Sequence, residues 1–158
     1  MGTILTRLRA RREQRGAAAV EFALILLPML YLLFGTIQFG WYLYATQAGT
    51  SAVGDAARRV AVGNCQTAGQ VQTLVYNKLG PATTAGSASG VTTSVTYTKA
   101  DGGAMSAPGE IGGSVTVTAT YPTVNLHFPF IPVPNDGIIT RAVFARVEDI
   151  SATQGDCS

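Results

Sequence analysis

Charge is scarce in this sequence. Asp, Glu, Lys and Arg make up 13% of its 158 residues, against 47% hydrophobic. None of the four occurs from Phe22 to Gly54, a run of 33 residues. A small soluble domain does not easily hold such a run, because its helices need a polar face toward water. Histidine is limited to His127 and cysteine to Cys65 and Cys157. There is no CxxC pair or other ligand cluster, so the usual zinc spacings are missing. No glycine-rich loop follows a strand in the way a phosphate cradle requires. The carboxylates beyond the apolar run (Asp55, Asp101, Glu110, Asp136, Glu148, Asp149 and Asp156) are scattered and form no acid/base pair. These gaps argue against an enzyme, a resident cofactor or metal, and a small-molecule substrate. A lone histidine in a proline-rich stretch is more often structural.

The charge that is present lies unevenly. Residues 1–16 hold Arg7, Arg9, Arg11, Arg12 and Arg15 against Glu13, which gives +4. The remainder holds six basic and eight acidic residues, which gives −2 and restores the net +2. The basic character therefore belongs to a short tail and points to a membrane rather than to nucleic acid.

Phe22–Tyr44 follows that tail and reads FALILLPMLYLLFGTIQFGWYLY. A hydrocarbon layer of about 30 Å needs about 20 apolar residues in a helix, and this stretch is long enough. Trp41, Tyr42 and Tyr44 sit at its far end, where aromatic rings favour the interface. The positive-inside rule places residues 1–16 in the cytoplasm and everything beyond about Tyr44 outside. A cleaved signal peptide is the competing reading, with Ala45-Thr46-Gln47-Ala48 as its small-residue site, but signal apolar regions are typically about 7–15 residues. Pro28 removes one backbone donor and leaves the Leu24 carbonyl without its helical partner, so a bend is expected there. Glu21 stands at the edge of the span. Such a carboxylate either snorkels to the headgroups or marks a functional position.

Arg15-Gly16-Ala17-Ala18-Ala19-Val20-Glu21-Phe22 opens the apolar helix directly after the basic leader. This resembles the prepilin processing site of Flp-type (tight-adherence) pili, where a peptidase cuts after a glycine and glutamate is the fifth mature residue. Gly16 to Leu24, Pro28 and the small-residue helix beyond are similar to the TadE-like family of minor pseudopilins. Arg141-Ala142-Val143-Phe144-Ala145-Arg146-Val147-Glu148 shares that likeness less specifically. Major Flp pilins are much shorter and usually carry tyrosine after the glutamate. Phe22 in that place fits a minor subunit.

The resemblance implies cleavage between Gly16 and Ala17, with Glu21 and Phe22 guiding assembly. It implies a prepilin peptidase, other pilin and pseudopilin subunits and the pilus assembly platform as partners, with the chain in the cytoplasmic membrane. It also allows an uncleaved single-pass anchor whose outer domain binds a partner or surface. The chemistry is intelligible by itself. Cleavage would free an α-amine at Ala17 that can neutralise the Glu21 carboxylate, within one chain or between neighbours. A charge left unpaired there would cost several kcal/mol.

Beyond Tyr44 the helical pattern continues with small residues. Ala45, Ala48, Ala52 and Ala56, with Val53, Ala57 and Val60, recur at spacings of three and four. Ala45/Gly49, Ala48/Ala52 and Ala57/Ala61 favour close helix contact, unless the stripe is simply a core face. Asp55, Arg58 and Arg59 fall on the wet side. One long helix is expected from about Ala17 to Val62, ended by Gly63-Asn64. A second is expected over Thr67–Leu79, burying Val71, Leu74, Val75 and Leu79, with Gly80-Pro81 as its stop.

The period then changes to two. Val91, Val95 and Tyr97, and later Val115, Val117, Ala119 and Tyr121, alternate with Thr and Ser as half-buried strands do. A flexible hairpin loop separates them, and a third strand is expected over Ile138–Asp149. The whole reads as α+β: a long N-terminal transmembrane helix packed on a small antiparallel sheet, a pilin-like arrangement. Three segments follow: a basic cytoplasmic leader over 1–16, the long helix over 17–62 and an extracytoplasmic domain over 63–158. Residues 122–137 hold four of the seven prolines among Leu126, Phe128, Phe130, Ile131 and Val133. They form either a loop folded back over the sheet or an apolar docking surface for a neighbouring subunit.

Cys65 and Cys157 lie outside by the same topology, where disulfides persist. A bridge between them is the expected state, closing a loop of roughly 90 residues worth about 4–5 kcal/mol by loop entropy. Free thiols or a link between subunits are the alternatives.

Overall fold

The apolar run and the alanine stripe form one uninterrupted helix. A computed structural model describes residues 2–65, 67–105, 110–148 and 157, with residues 2–15 described by backbone alone. Helix α1 spans Gly2–Ala61. At 1.5 Å per residue it is about 90 Å long. The helical backbone continues through Pro28 and through the Gly16–Ala17 peptide bond. The side chains of the leader arginines lie outside the described residues.

The end of α1 has a specific cause. Gly63 takes φ 78°, a left-handed conformation that a Cβ disfavours. The Asn64 N–H then donates to the Arg59 carbonyl at 2.9 Å and the Gly63 N–H to the Val60 carbonyl at 3.0 Å. Two of the last open carbonyls are thus satisfied in a Schellman arrangement.

Helix α2, Ala68–Leu79, starts with a capping box. The Thr67 hydroxyl accepts from the Gln70 N–H, and the Gln70 side chain accepts from the Thr67 N–H. Its buried residues are Val71, Leu74, Val75 and Leu79, the four that the apolar spacing singles out.

Strands β1 (Thr92–Thr98), β2 (Ala104–Met105), β3 (Ser114–Pro122) and β4 (Ile138–Arg146) form one antiparallel sheet in the order β2-β1-β3-β4. The short β2 pairs Met105 with Tyr97 inside what the sequence suggests is only a loop. The last strand ends at Arg146, and Asp149 and Asp156 lie outside the described residues. Central strand β3 turns Val115, Val117, Ala119 and Tyr121 inward and its threonines outward. On the outer face the hydroxyls of Thr120 and Thr140 meet at 2.9 Å across the ladder.

The architecture is α+β, and the core lies between the sheet and the second half of α1. Ala45, Ala52, Val53, Ala56, Ala57 and Val60 are all buried there. The small residues of α1 therefore face the sheet and α2, not a second long helix. Gly49 shows why they must be small: a Cβ there would lie 1.8 Å from the Tyr121 hydroxyl. That hydroxyl donates to the Ala45 carbonyl at 2.7 Å. Burial, the largest influence, pushes the Tyr121 phenol up to about 12, so it remains a donor at ordinary pH.

Candidate functional site

Two regions of α1 carry the features that point to function. The first is its N-terminal apolar stretch. Gly16, Ala17, Glu21 and Phe22 are all exposed, and a Cβ at Gly16 would meet nothing within 4 Å. Among the described residues Glu21 has no ion-pair partner. Ala17 and Glu21 are four positions apart, so they share a helix face one turn from each other. Side chains on a helix tilt toward its N-terminus. Cleavage after Gly16 would turn the Ala17 nitrogen into an amine one helical turn from Glu21. Glycine costs about 1 kcal/mol against alanine in a helix interior. Gly16 is thus a locally weak position in an otherwise continuous helix.

From this point to Tyr44 the helix meets little of its own domain. Phe22 is 65% exposed, Ile25 68% and Leu32 74%. Most of its large apolar side chains point outward, which marks a helix whose solvent is not water. The described part of α1 is long and apolar enough to cross a membrane.

The second region is where residues 123–137 return to the helix. These residues do not fold over the sheet. They run back along α1, below the domain core, against Pro28, Tyr31, Phe34 and Phe39. The anchor is Gln38, which is 1% exposed within an otherwise apolar stretch. Its Nε2 donates to the Val124 carbonyl at 3.0 Å and its Oε1 accepts from the Leu126 N–H at 2.9 Å. One side-chain amide thus completes a donor and an acceptor of an irregular backbone. Further along, Phe128 stacks on Phe34 with centroids 4.7 Å apart. Phe130 meets Tyr31 edge-on at 6.2 Å. At the other end of the loop the Thr123 hydroxyl donates to the Ala82 carbonyl at 3.0 Å, and the Thr123 N–H donates to Gly137 at 2.7 Å.

Gln38 was open to discovery in the sequence. It is the one side-chain amide between Glu21 and Gln47, and a polar group in such a run calls for a partner. Its partners were not legible, because they lie 86 and 88 positions away.

The remaining residues of interest are dispersed. Cys65 and Cys157 are joined, with Cα atoms 5.1 Å apart. Their bridge lies just beyond the far end of α1, about 60 Å along the helix axis from Glu21. His127 takes φ 50° and its ring Nδ1 is 2.8 Å from the Asn125 carbonyl. Among the described residues no group of three His, Cys, Asp or Glu side chains is placed to hold a metal ion. The structure brings Gln38, Phe34, Tyr31 and the proline-rich loop together. It leaves Gly16–Phe22 apart from the disulfide.

A comparison with known families bears on the first region. Residues 16–58 match the family model of the TadE-like protein. The match begins at Gly16 and lies wholly within α1, so it includes Ala17, Glu21, Phe22, Pro28 and Gln38 and none of the sheet. The match covers 43 of the 158 residues. No curated protein and no solved structure matches the chain.

Proposed function

We propose that this protein is a minor pseudopilin that takes part in assembling a tight-adherence (Flp-type) pilus. Residues 22–44 cross the cytoplasmic membrane, the arginine-rich leader stays in the cytoplasm, and the sheet domain lies outside. A prepilin peptidase cuts after Gly16. The new Ala17 amine and the Glu21 carboxylate then pair, in the same chain or with a neighbour, and set the axial register of packed helices. Other pilin and pseudopilin subunits and the assembly platform are the partners, and the role is structural rather than catalytic.

One observation carries this reading. The helix that begins with Gly16-Ala17-Ala18-Ala19-Val20-Glu21-Phe22 keeps its large apolar side chains outside its own fold, within the TadE-like match. A surface of that kind needs lipid or other helices around it.

A second reading has an observation of its own. The backbone is helical on both sides of the Gly16–Ala17 bond, as it would be in an uncleaved single-pass anchor whose outer domain binds a partner or surface. N-terminal sequencing and intact mass of the chain from native membranes separate the two. A start at Ala17 is expected, a start at Met1 leaves the anchor, and a start near Gly49 makes the apolar stretch a signal peptide. Glu21→Ala should insert normally yet impair piliation and adherence. Normal pili in that strain would remove Glu21 from assembly.

A further inference from the structure

We propose that the proline-rich loop is a second membrane-inserting element, whose tip at residues 128–132 lies among the acyl chains of the outer leaflet beside α1. This rests on residues 22–44 being the span. With Glu21 at the inner boundary, Tyr31 lies about 15 Å along the helix axis, roughly half of the ~30 Å hydrocarbon thickness. Phe34 and Gln38 lie about 20 and 25 Å along it. The loop touches all three, through Phe130, Phe128 and the Val124–Leu126 backbone respectively. A segment that contacts a span at those levels shares its solvent.

The loop is chemically suited to that place. Residues 128–133 read Phe-Pro-Phe-Ile-Pro-Val and carry no charge. Each polar backbone group left unpaired at membrane depth is costly, and over residues 128–133 the loop leaves the N–H groups of Phe128, Phe130 and Val133 without a protein partner among the described residues. Pro129 and Pro132 have no N–H to satisfy. The Ile131 N–H donates to the Phe128 carbonyl at 3.2 Å. Gln38 takes care of Val124 and Leu126, and the Asn125 side chain accepts from the His127 N–H at 2.9 Å. Polar residues border the tip on both sides, with Asn125 and His127 before it and Asn135 and Asp136 after it.

Phe130 is the clearest sign. It is 88% exposed and held at φ 67°, a conformation that a bulky residue rarely adopts. In water this would present a large ring to solvent from a strained backbone. In lipid the same ring continues the apolar surface of Leu27 and Leu32, which are themselves largely exposed.

The test is depth-resolved fluorescence quenching on the full chain in phosphatidylcholine vesicles. The native Trp41, at the outer end of the span, is the reference. In the Phe130→Trp chain with Trp41→Phe, the indole at position 130 should be blue-shifted. It should lose more emission than Trp41 to lipids brominated toward the middle of the acyl chain. Adding Gln38→Leu should move that probe outward, with more quenching from the headgroup region. A Cys65–Cys157 crosslink seen under non-reducing conditions verifies that each variant has folded. If Trp41 is quenched and the probe at 130 is not, the loop lies outside lipid and the proposal fails while the span stands. If the probe is shielded only when chains associate, the occupant is a second copy and the lipid assignment is wrong. If neither indole is quenched, the spanning reading falls with it.

Discussion

The two halves of α1 are equally helical and treat their side chains in opposite ways. In the first half large residues are exposed, with Leu32 at 74% and Ile25 at 68%. In the second half small ones are buried, with Ala45, Val53, Ala56 and Ala57 at 0%. Apolarity alone therefore does not tell which part of the helix carries the domain. Size does. A sheet approaches a helix closely only where side chains are short, as at Gly49 under Tyr121. Bulky residues keep the sheet away and, outside the face that the proline-rich loop covers, leave the surface to lipid or neighbouring helices.

The largest effect should come from the bridge just past the buried half. Replacing Cys65 and Cys157 together with serine should cost the outer domain about 4–5 kcal/mol by the loop-entropy account. A urea melt in detergent reads this, while membrane insertion of the first half should not change. An unaltered midpoint would mean that the bridge does not constrain the domain. Non-reducing peptide mapping of protein from the native envelope checks the pairing itself.

The contrast between halves is sharpened by two substitutions. Gly49→Ala adds one methyl group, yet it must displace the Tyr121 ring and endanger its bond to Ala45. A loss of about 2–4 kcal/mol is expected from overpacking and the hydrogen bond together. Leu32→Ala removes far more apolar surface, but from an exposed site, and should change domain stability by no more than about 0.5 kcal/mol. Comparable losses at the two positions would erase the distinction.

The smallest effect concerns the wet side of the second half. Lys78 Nζ stands 3.0 Å from Asp55 Oδ2, with both side chains well exposed. The hydrogen bond from Lys78, the largest influence, holds the Asp55 carboxyl below its usual value of 3.8. A depressed carboxylate contributes stability that is fully present above its unfolded pKa. That contribution fades as pH falls through the lower folded value. Lys78→Ala should accordingly cost less than about 1 kcal/mol at neutral pH. It should also flatten the acid limb of stability against pH. An unchanged acid limb would assign that limb to other groups.

Much of the helical scaffold was legible because its signals are local. Gly63-Asn64 marked the end of α1 since a left-handed cap needs only those residues. The spacing of Val71, Leu74, Val75 and Leu79 marked the buried face of α2, and alternation marked β1 and β3. The short β2 was missed because two residues carry no periodicity. Around the candidate site, Gly16, Glu21 and Phe22 were readable as a motif, and Gln38 was not, although its lone amide was in view.

By itself the sequence determined the long apolar helix, where that helix stops, and the inward faces of α2 and of β3. Each follows from hydropathy or backbone preference within a few residues. Only the tertiary structure decided what the alanine stripe faces and where residues 123–137 go. Prolines remove the periodicity that would orient the loop, and the contacts that direct it join residues more than eighty positions apart. Its course is set by which surface of α1 can satisfy its backbone and match its aromatic rings.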